Sequence, residues 1–156
     1  MYPSQHIILG LFFGIFVFII FPSIGIFGIL IIFLSSVLID VDHYVYVAIR
    51  KKEFNLFKVR KWFTEAKKKL FRMSLEQRTR TSTCWCFLHG FEFMLGLILL
   101  GVFVSEYFFL AFVGILLHHI LDYTQEPLHH KRIDKISSIY DFIKFRNMNW
   151  VDEKDN

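Results

Sequence analysis

Residues 7–39 read IILGLFFGIFVFIIFPSIGIFGILIIFLSSVLI, a run without one charged side chain. At about 1.5 Å per residue, a single helix of that length would measure roughly 50 Å, against about 30 Å for the hydrocarbon layer of a bilayer. The run has to fold back. Pro22-Ser23 supplies the place, because proline lacks the N–H that would continue a helix and disfavours helix at the residue before it. The expectation is two short spans, about 7–21 and 24–39, accommodated by local thinning of the bilayer or by protein support at their ends.

The rest of the chain extends this reading. A second apolar block runs from Cys84 to about Tyr123 and is interrupted only at Ser105-Glu106-Tyr107, which predicts another hairpin with spans near 86–104 and 107–122. Of the 156 residues, 54% are hydrophobic and 19% aromatic, with 20 Phe. Water-soluble domains lie nearer 45–50% apolar and break their apolar residues up at helix or strand period. This hydrophobicity excludes a disordered chain, and two cysteines as close as Cys84 and Cys86 exclude a disulfide-stapled secreted scaffold. The N-terminal stretch has neither a basic opening nor a small-residue cleavage signal, so it is read as retained rather than as a signal peptide. The predicted fold class is all-α: a polytopic membrane protein, residues 1–156 as a single membrane domain, with four transmembrane helices as two hairpins plus an interfacial amphipathic helix.

Charge sets the orientation. Arg50 to Arg80 carries twelve Lys and Arg against three Glu, whereas the turns at Pro22-Ser23 and Ser105-Glu106 carry none. Lys and Arg stay on the cytoplasmic side, so an integral, multi-pass protein with both termini cytoplasmic is expected, its tail covering 123–156. Within the basic segment 50–82, Val59, Trp62/Phe63, Ala66, Leu70 and Met73 recur at three to four residues with basic residues between them. That is the pattern of an interfacial helix, whose partners would be membrane lipids with anionic headgroups at about 1 kcal/mol per basic residue. A role in topology alone explains the charges equally well. Nucleic acid is the less favoured partner, since the aromatic face suits lipid better. In the tail, Ile133, Ile136, Tyr140 and Ile143 would form one face of a short surface helix.

Ionisable residues at the predicted span ends carry the chemistry. Intramembrane ionisable groups are costly and call for a reason. His6 opens the first span, Asp40-Val41-Asp42-His43 closes the second, His89 and Glu92 open the third, and His118, His119 and Asp122 close the fourth. By chain direction all lie at the cytoplasmic face, where a four-helix bundle can gather them. Asp40/His43 and His89/Glu92 are spaced i,i+3 and His118/Asp122 i,i+4, so each pair projects from one side of a helix. Imidazole and carboxylate are the ligands of zinc, manganese and iron hydrolytic centres. The expected metal ligands are His6, Asp40, His43, His89, His118 and Asp122, for one or two divalent ions, zinc first with manganese or iron as alternatives. Glu92 or Asp42 would accept a proton or add a ligand. Of the adjacent histidines His118 is preferred over His119, which points about 100° away. Each residue also has a plainer reading, His6 as an interfacial polar group and Asp42 as a solvated one. His129 and His130 read as surface residues. Cys84-Trp85-Cys86 with His89 offers thiolate and imidazole that could hold zinc, but two thiols at i,i+2 point to different sides of a helix, which favours membrane-entry packing.

These motifs resemble the YdjM-like family of small membrane-bound metal-dependent hydrolases. Its pattern has an early His, then D-x-D-H, then an H-R-G-x-T-H-S-like stretch, then G-x-x-x-H-x-x-x-D. His6, Asp40-Val41-Asp42-His43 and Gly114 through His118 to Asp122 match. In the third element His89 matches the second histidine, and Cys84 stands in place of the first. The resemblance covers roughly 5–127 without the basic insertion at 50–82. It implies a metal-dependent hydrolase with a His/Asp ligand set similar to those of zinc-dependent phospholipase C and P1-type nucleases, with either a Cys ligand or Glu92 completing it.

The expected function is hydrolysis of a phosphoester or ester in a lipid or amphiphilic substrate at the cytoplasmic interface. The alternatives are a metal ion or proton transporter subunit and a non-enzymatic structural membrane protein.

Overall fold

The computed structural model describes residues 3–130 and 134–151, with side chains over 5–124 and 134–151. The chain is mostly helical and divides into two compact units, one formed by residues 1–39 and 91–125, the other by 40–90 and 126–156.

The first unit holds α1 (Pro3–Ile20), a single 3₁₀ turn at Pro22–Ile24, α2 (Gly25–Leu38), α6 (Phe91–Phe103) and the body of α7 (Tyr107–His130). Pro22 stands at the start of the turn, as its locked φ favours. Gly25 then takes φ 61°, ψ −176°, a conformation open essentially to glycine alone, and the chain reverses into α2. The turn expected at Pro22-Ser23 is therefore present. α1 and α2 pack antiparallel, and α2 presents Gly28, Ile32 and Ser36, each four residues from the last, as its buried face. Gly114 of α7 lies on that face so closely that a Cβ would overlap Ile32 O and Ser35 Oγ. Small residues at a crossing let two backbones approach, which is how apolar helices gain packing where burial of oily surface drives little.

Polarity in this unit runs from inside to outside in reverse. His6, Ser36, His118, His119 and Asp122 are buried, while Phe12, Ile19, Ile26, Phe27 and Phe103 are each more than 60% exposed. Among the described residues, two helical stretches are long and apolar enough to cross a membrane, Pro22–Lys51 and Tyr107–Thr124. The other two predicted spans correspond to shorter apolar helices, Gln5–Ile20 and Phe91–Phe103.

The second unit holds α3 (Val41–Lys51), α4 (Leu56–Arg72), α5 (Leu75–Thr79), β1 (Thr81–Ser82), α8 (Ser138–Phe145) and β2 (Asn149–Trp150). Asn55 caps α4 by accepting the Phe57 and Lys58 N–H groups, and Ser74 with Gln77 forms a capping box for α5. The apolar stripe of α4 is used internally: Val59, Val47 and Ala48 are buried together, with Tyr44, Tyr46, Trp62 and Phe63 packed around them. Much of the face expected to lie in lipid thus packs on α3, while Phe54, Leu56 and Phe57 around the start of α4 and Phe71 near its end are exposed.

β1 and β2 pair in parallel, Thr81 with Asn149 and Ser82 with Trp150. In α8 the buried residues are Ser138, Asp141 and Phe145, while Ile136, Tyr140 and Ile143 are exposed. Ile133 and the side chains of His129 and His130 lie outside the described residues. The third predicted span is corrected at its start: α6 begins at Phe91 rather than 86, and residues 83–90 form a non-helical loop.

The close crossing at Gly114 yields a direct test. Gly114→Leu should lower the unfolding free energy in detergent by about 1–3 kcal/mol, as overpacking does. Gly96→Leu, where nothing lies within 4 Å of an added Cβ, should be near neutral. Equal effects in thermal unfolding would contradict this packing.

Candidate metal centre

In the first unit the site rests on a buried carboxylate. Asp122 is 2% exposed on α7, in a unit whose residues include no Lys or Arg; all 18 lie in the second unit. A carboxylate taken out of water without compensation is expensive. The groups turned toward it are imidazoles. His6 Nε2 of α1 lies 3.3 Å from Asp122 Oδ1, and His118 Nε2 lies 3.5 Å from Asp122 Oδ2. The two rings stack with centroids 4.0 Å apart.

The tautomer of His118 follows from its other nitrogen. Nδ1–H donates to the Ser36 carbonyl at 2.8 Å, so the Nε2 lone pair points to the carboxylate side unless a second proton is added. Doubly protonating both stacked rings would set two cations face to face. A divalent ion among His6, His118 and Asp122 removes that conflict and neutralises the carboxylate, and ring N–H donation to a backbone carbonyl is the usual support of a ligating histidine. Donor atoms of these three residues all lie within 4.8 Å of one another. Among the described residues, His6 Nδ1 is buried with no hydrogen-bond partner. His119 lies against Tyr123, ring centroids 5.7 Å apart.

In the second unit the organising group is Asp42, fully buried in the first turn of α3. Its Oδ1 is 2.8 Å from His43 Nδ1; its Oδ2 is 2.9 Å from His89 Nδ1 and accepts the Leu88 N–H at 2.9 Å. One carboxylate therefore takes an Nδ1–H from each of two imidazoles and leaves both Nε2 atoms turned away from it, the carboxylate–histidine arrangement of metal sites. His89 Nε2 lies 3.6 Å from Asp40 Oδ1, and His43 Nε2 lies 3.3 Å from Cys86 Sγ. Donor atoms from Asp42, His43, Cys86 and His89 all lie within 4.8 Å of one another.

The loop that delivers His89 and Cys86 is tied down from both sides. The β1–β2 pairing fixes its start. Farther along, Trp85 Nε1–H donates to the Ser138 carbonyl at 2.9 Å, and Ser138 Oγ donates to the Phe87 carbonyl at 2.9 Å.

The sequence-predicted ligands thus fall into two sets, His6, His118 and Asp122 in one unit and Asp40, His43 and His89 in the other. Asp42, offered by the sequence as a proton acceptor or further ligand, has one oxygen against each of two histidines. Glu92 sits half-buried in the first turn of α6, and because His89 lies in the loop before that helix, the two do not share a helical face. Cys86, which sequence reasoning weighed as a zinc ligand and set aside for membrane-entry packing, belongs with Asp42, His43 and His89. The Cys84-Trp85-Cys86 segment lies in the non-helical loop, so the divergence that an i,i+2 pair shows on a helix does not apply. The two Sγ atoms lie 3.4 Å apart. The neighbouring Cys86 thiol, with His43 behind it, draws the Cys84 thiol below its ordinary pKa against the opposing effect of burial.

Comparison with models of known protein families, with curated proteins and with solved structures finds no match.

Removing Asp42 should be costly because three donors lose their acceptor. Asp42→Ala is expected to lower stability in chelator by about 3 kcal/mol or more. Asp40→Ala, at a carboxylate 31% exposed, should change it by under about 1 kcal/mol. The reverse order in chemical unfolding would contradict the assignment of Asp42 as the organising group.

Proposed function

We propose that the protein is a membrane-bound metal-dependent hydrolase, a divergent relative of the YdjM-like family, acting on a phosphoester or ester of a lipid or other amphiphile at the cytoplasmic interface. The observation that carries this reading is the placement of imidazoles and carboxylates, inward and mutually converging, in a chain whose long helices turn apolar side chains outward. Helix-knitting alone would be served by single hydrogen-bonded pairs. Two carboxylates that each face two imidazoles, in chemically matched orientation, are better suited to holding divalent cations, with zinc as the first choice.

The residues divide the work. His6, His118 and Asp122 would hold one ion, and His43, His89 and Asp40 present donors for another. Ser36 O and Asp42 hold the rings in the ligating tautomer. A bound divalent ion supplies Lewis acidity, polarising the scissile phosphoryl or acyl oxygen and lowering the pKa of water toward about 7. All the Lys and Arg of the chain lie in the second unit, and the exposed ones on α4 suit attraction to anionic headgroups. This segregation also supports a multi-pass topology with both termini cytoplasmic. The exposed Phe54, Leu56 and Phe57 would anchor α4 at that surface.

The test is hydrolysis in proteoliposomes. Wild type supplied with zinc, manganese or iron should release product from a panel of phospholipids or synthetic phosphoesters, and His118→Ala should fall to background while still inserting. Asp42→Asn should lose about 10–100-fold, the usual penalty for removing the partner of a ligating histidine. Activity unaffected by His118→Ala, or none on any ester or phosphoester with any of the three metals, would overturn the reading.

A further inference from the structure

Cys84 and Cys86 are both buried, at 8% and 4% exposure, and their sulfurs are not bonded. The 3.4 Å between them is far above a disulfide bond length. It is close to the ~3.8 Å that separates two sulfurs held about 2.3 Å from one tetrahedral zinc. Likewise the 3.3 Å from Cys86 Sγ to His43 Nε2 is close to the ~3.6 Å expected of a sulfur and a nitrogen sharing such an ion. His43 is already set for ligation, its Nδ1–H given to Asp42 and its Nε2 turned to the thiol.

We propose that Cys84, Cys86 and His43 form a thiolate–imidazole metal site in the second unit, selective for soft divalent ions and above all zinc. The proposal rests on the metal-binding reading above and goes beyond it by naming the sulfur ligands and the ion class. The His6, His118 and Asp122 set of the first unit offers nitrogen and oxygen donors, which suit zinc, manganese and iron alike, whereas thiolate disfavours the harder ions. The two units thereby differ in the metals they accept.

The same atoms admit one rival. Cys86 Sγ, His43 Nε2 and Nδ1, and Asp42 Oδ1 lie in the order nucleophile, base and orienting carboxylate. Three observations favour the metal. A nucleophile needs an open approach, and Cys86 is buried. A nucleophile needs no second thiol, and Cys84 stands 3.4 Å away. A nucleophile's base needs no second imidazole on its orienting carboxylate, and His89 shares Asp42.

The experiment uses the metal-stripped full-length protein in detergent, titrated with cobalt(II). Wild type should develop the near-ultraviolet thiolate-to-cobalt charge-transfer band together with the weaker visible ligand-field bands. Cys84→Ser and Cys86→Ser should each reduce the charge-transfer band and the double variant should abolish it, all keeping ligand-field absorption from the first unit. Because either variant can fail to fold, a second measurement is made on wild type alone: zinc should protect both thiols from iodoacetamide, read by mass spectrometry. Ligand-field bands without charge transfer in wild type would overturn the thiolate site and leave the hydrolase reading standing. Alkylation of Cys86 as fast with zinc as without would also overturn it, in favour of the nucleophile. Failure to take up cobalt at all would overturn both readings.

Discussion

A carboxylate removed from water has to be compensated, and in this protein two of them set the terms for everything around them. Asp122 lies in a unit that carries no Lys or Arg, and the imidazoles of His6 and His118 face its two oxygens. Asp42 is answered by two imidazoles and a backbone N–H. Each carboxylate draws its partners from distant parts of the chain: α1 and α7 for the first, α3 and the loop before α6 for the second. Fold and site are in this sense one arrangement, because neither carboxylate tolerates burial until its partners have arrived.

The remaining features serve that requirement. Glycines and serines on α1, α2 and α7 bring backbones near enough for His118 to reach the Ser36 carbonyl. A short parallel strand pair and the Trp85–Ser138 and Ser138–Phe87 hydrogen bonds hold the Cys84–His89 loop, which would otherwise owe its position to a few turn residues. Hydrophobic side chains, which build the interior of a water-soluble protein, are here largely on the outside of the first unit.

Much of this was legible in the sequence where the signal was local. An uncharged run too long for one span, a proline to turn it, and i,i+4 spacing of His118 and Asp122 lead directly to α1, α2 and the pair on α7. What was not legible depended on non-local contacts. Reading 86–104 as one helix extended hydrophobic periodicity across a loop that is held by α8 and by β2, elements some 50 residues or more away in sequence. That single error turned the reading of the cysteines away from a shared site, since thiols two residues apart diverge on a helix and this segment is not helical. The stripe on α4 was visible, but its partner was not: periodicity reports an apolar face and says nothing of whether lipid or α3 covers it.

The central claim is that these buried carboxylate–imidazole sets exist to hold divalent cations. Elemental analysis of the detergent-purified full chain, beside a His6→Ala/Asp122→Asn variant with an unchanged far-ultraviolet spectrum, tests it most directly. The account predicts bound divalent metal in wild type and one equivalent less in the variant. Wild type that is metal-free and stays so after incubation with zinc, manganese and iron would contradict it.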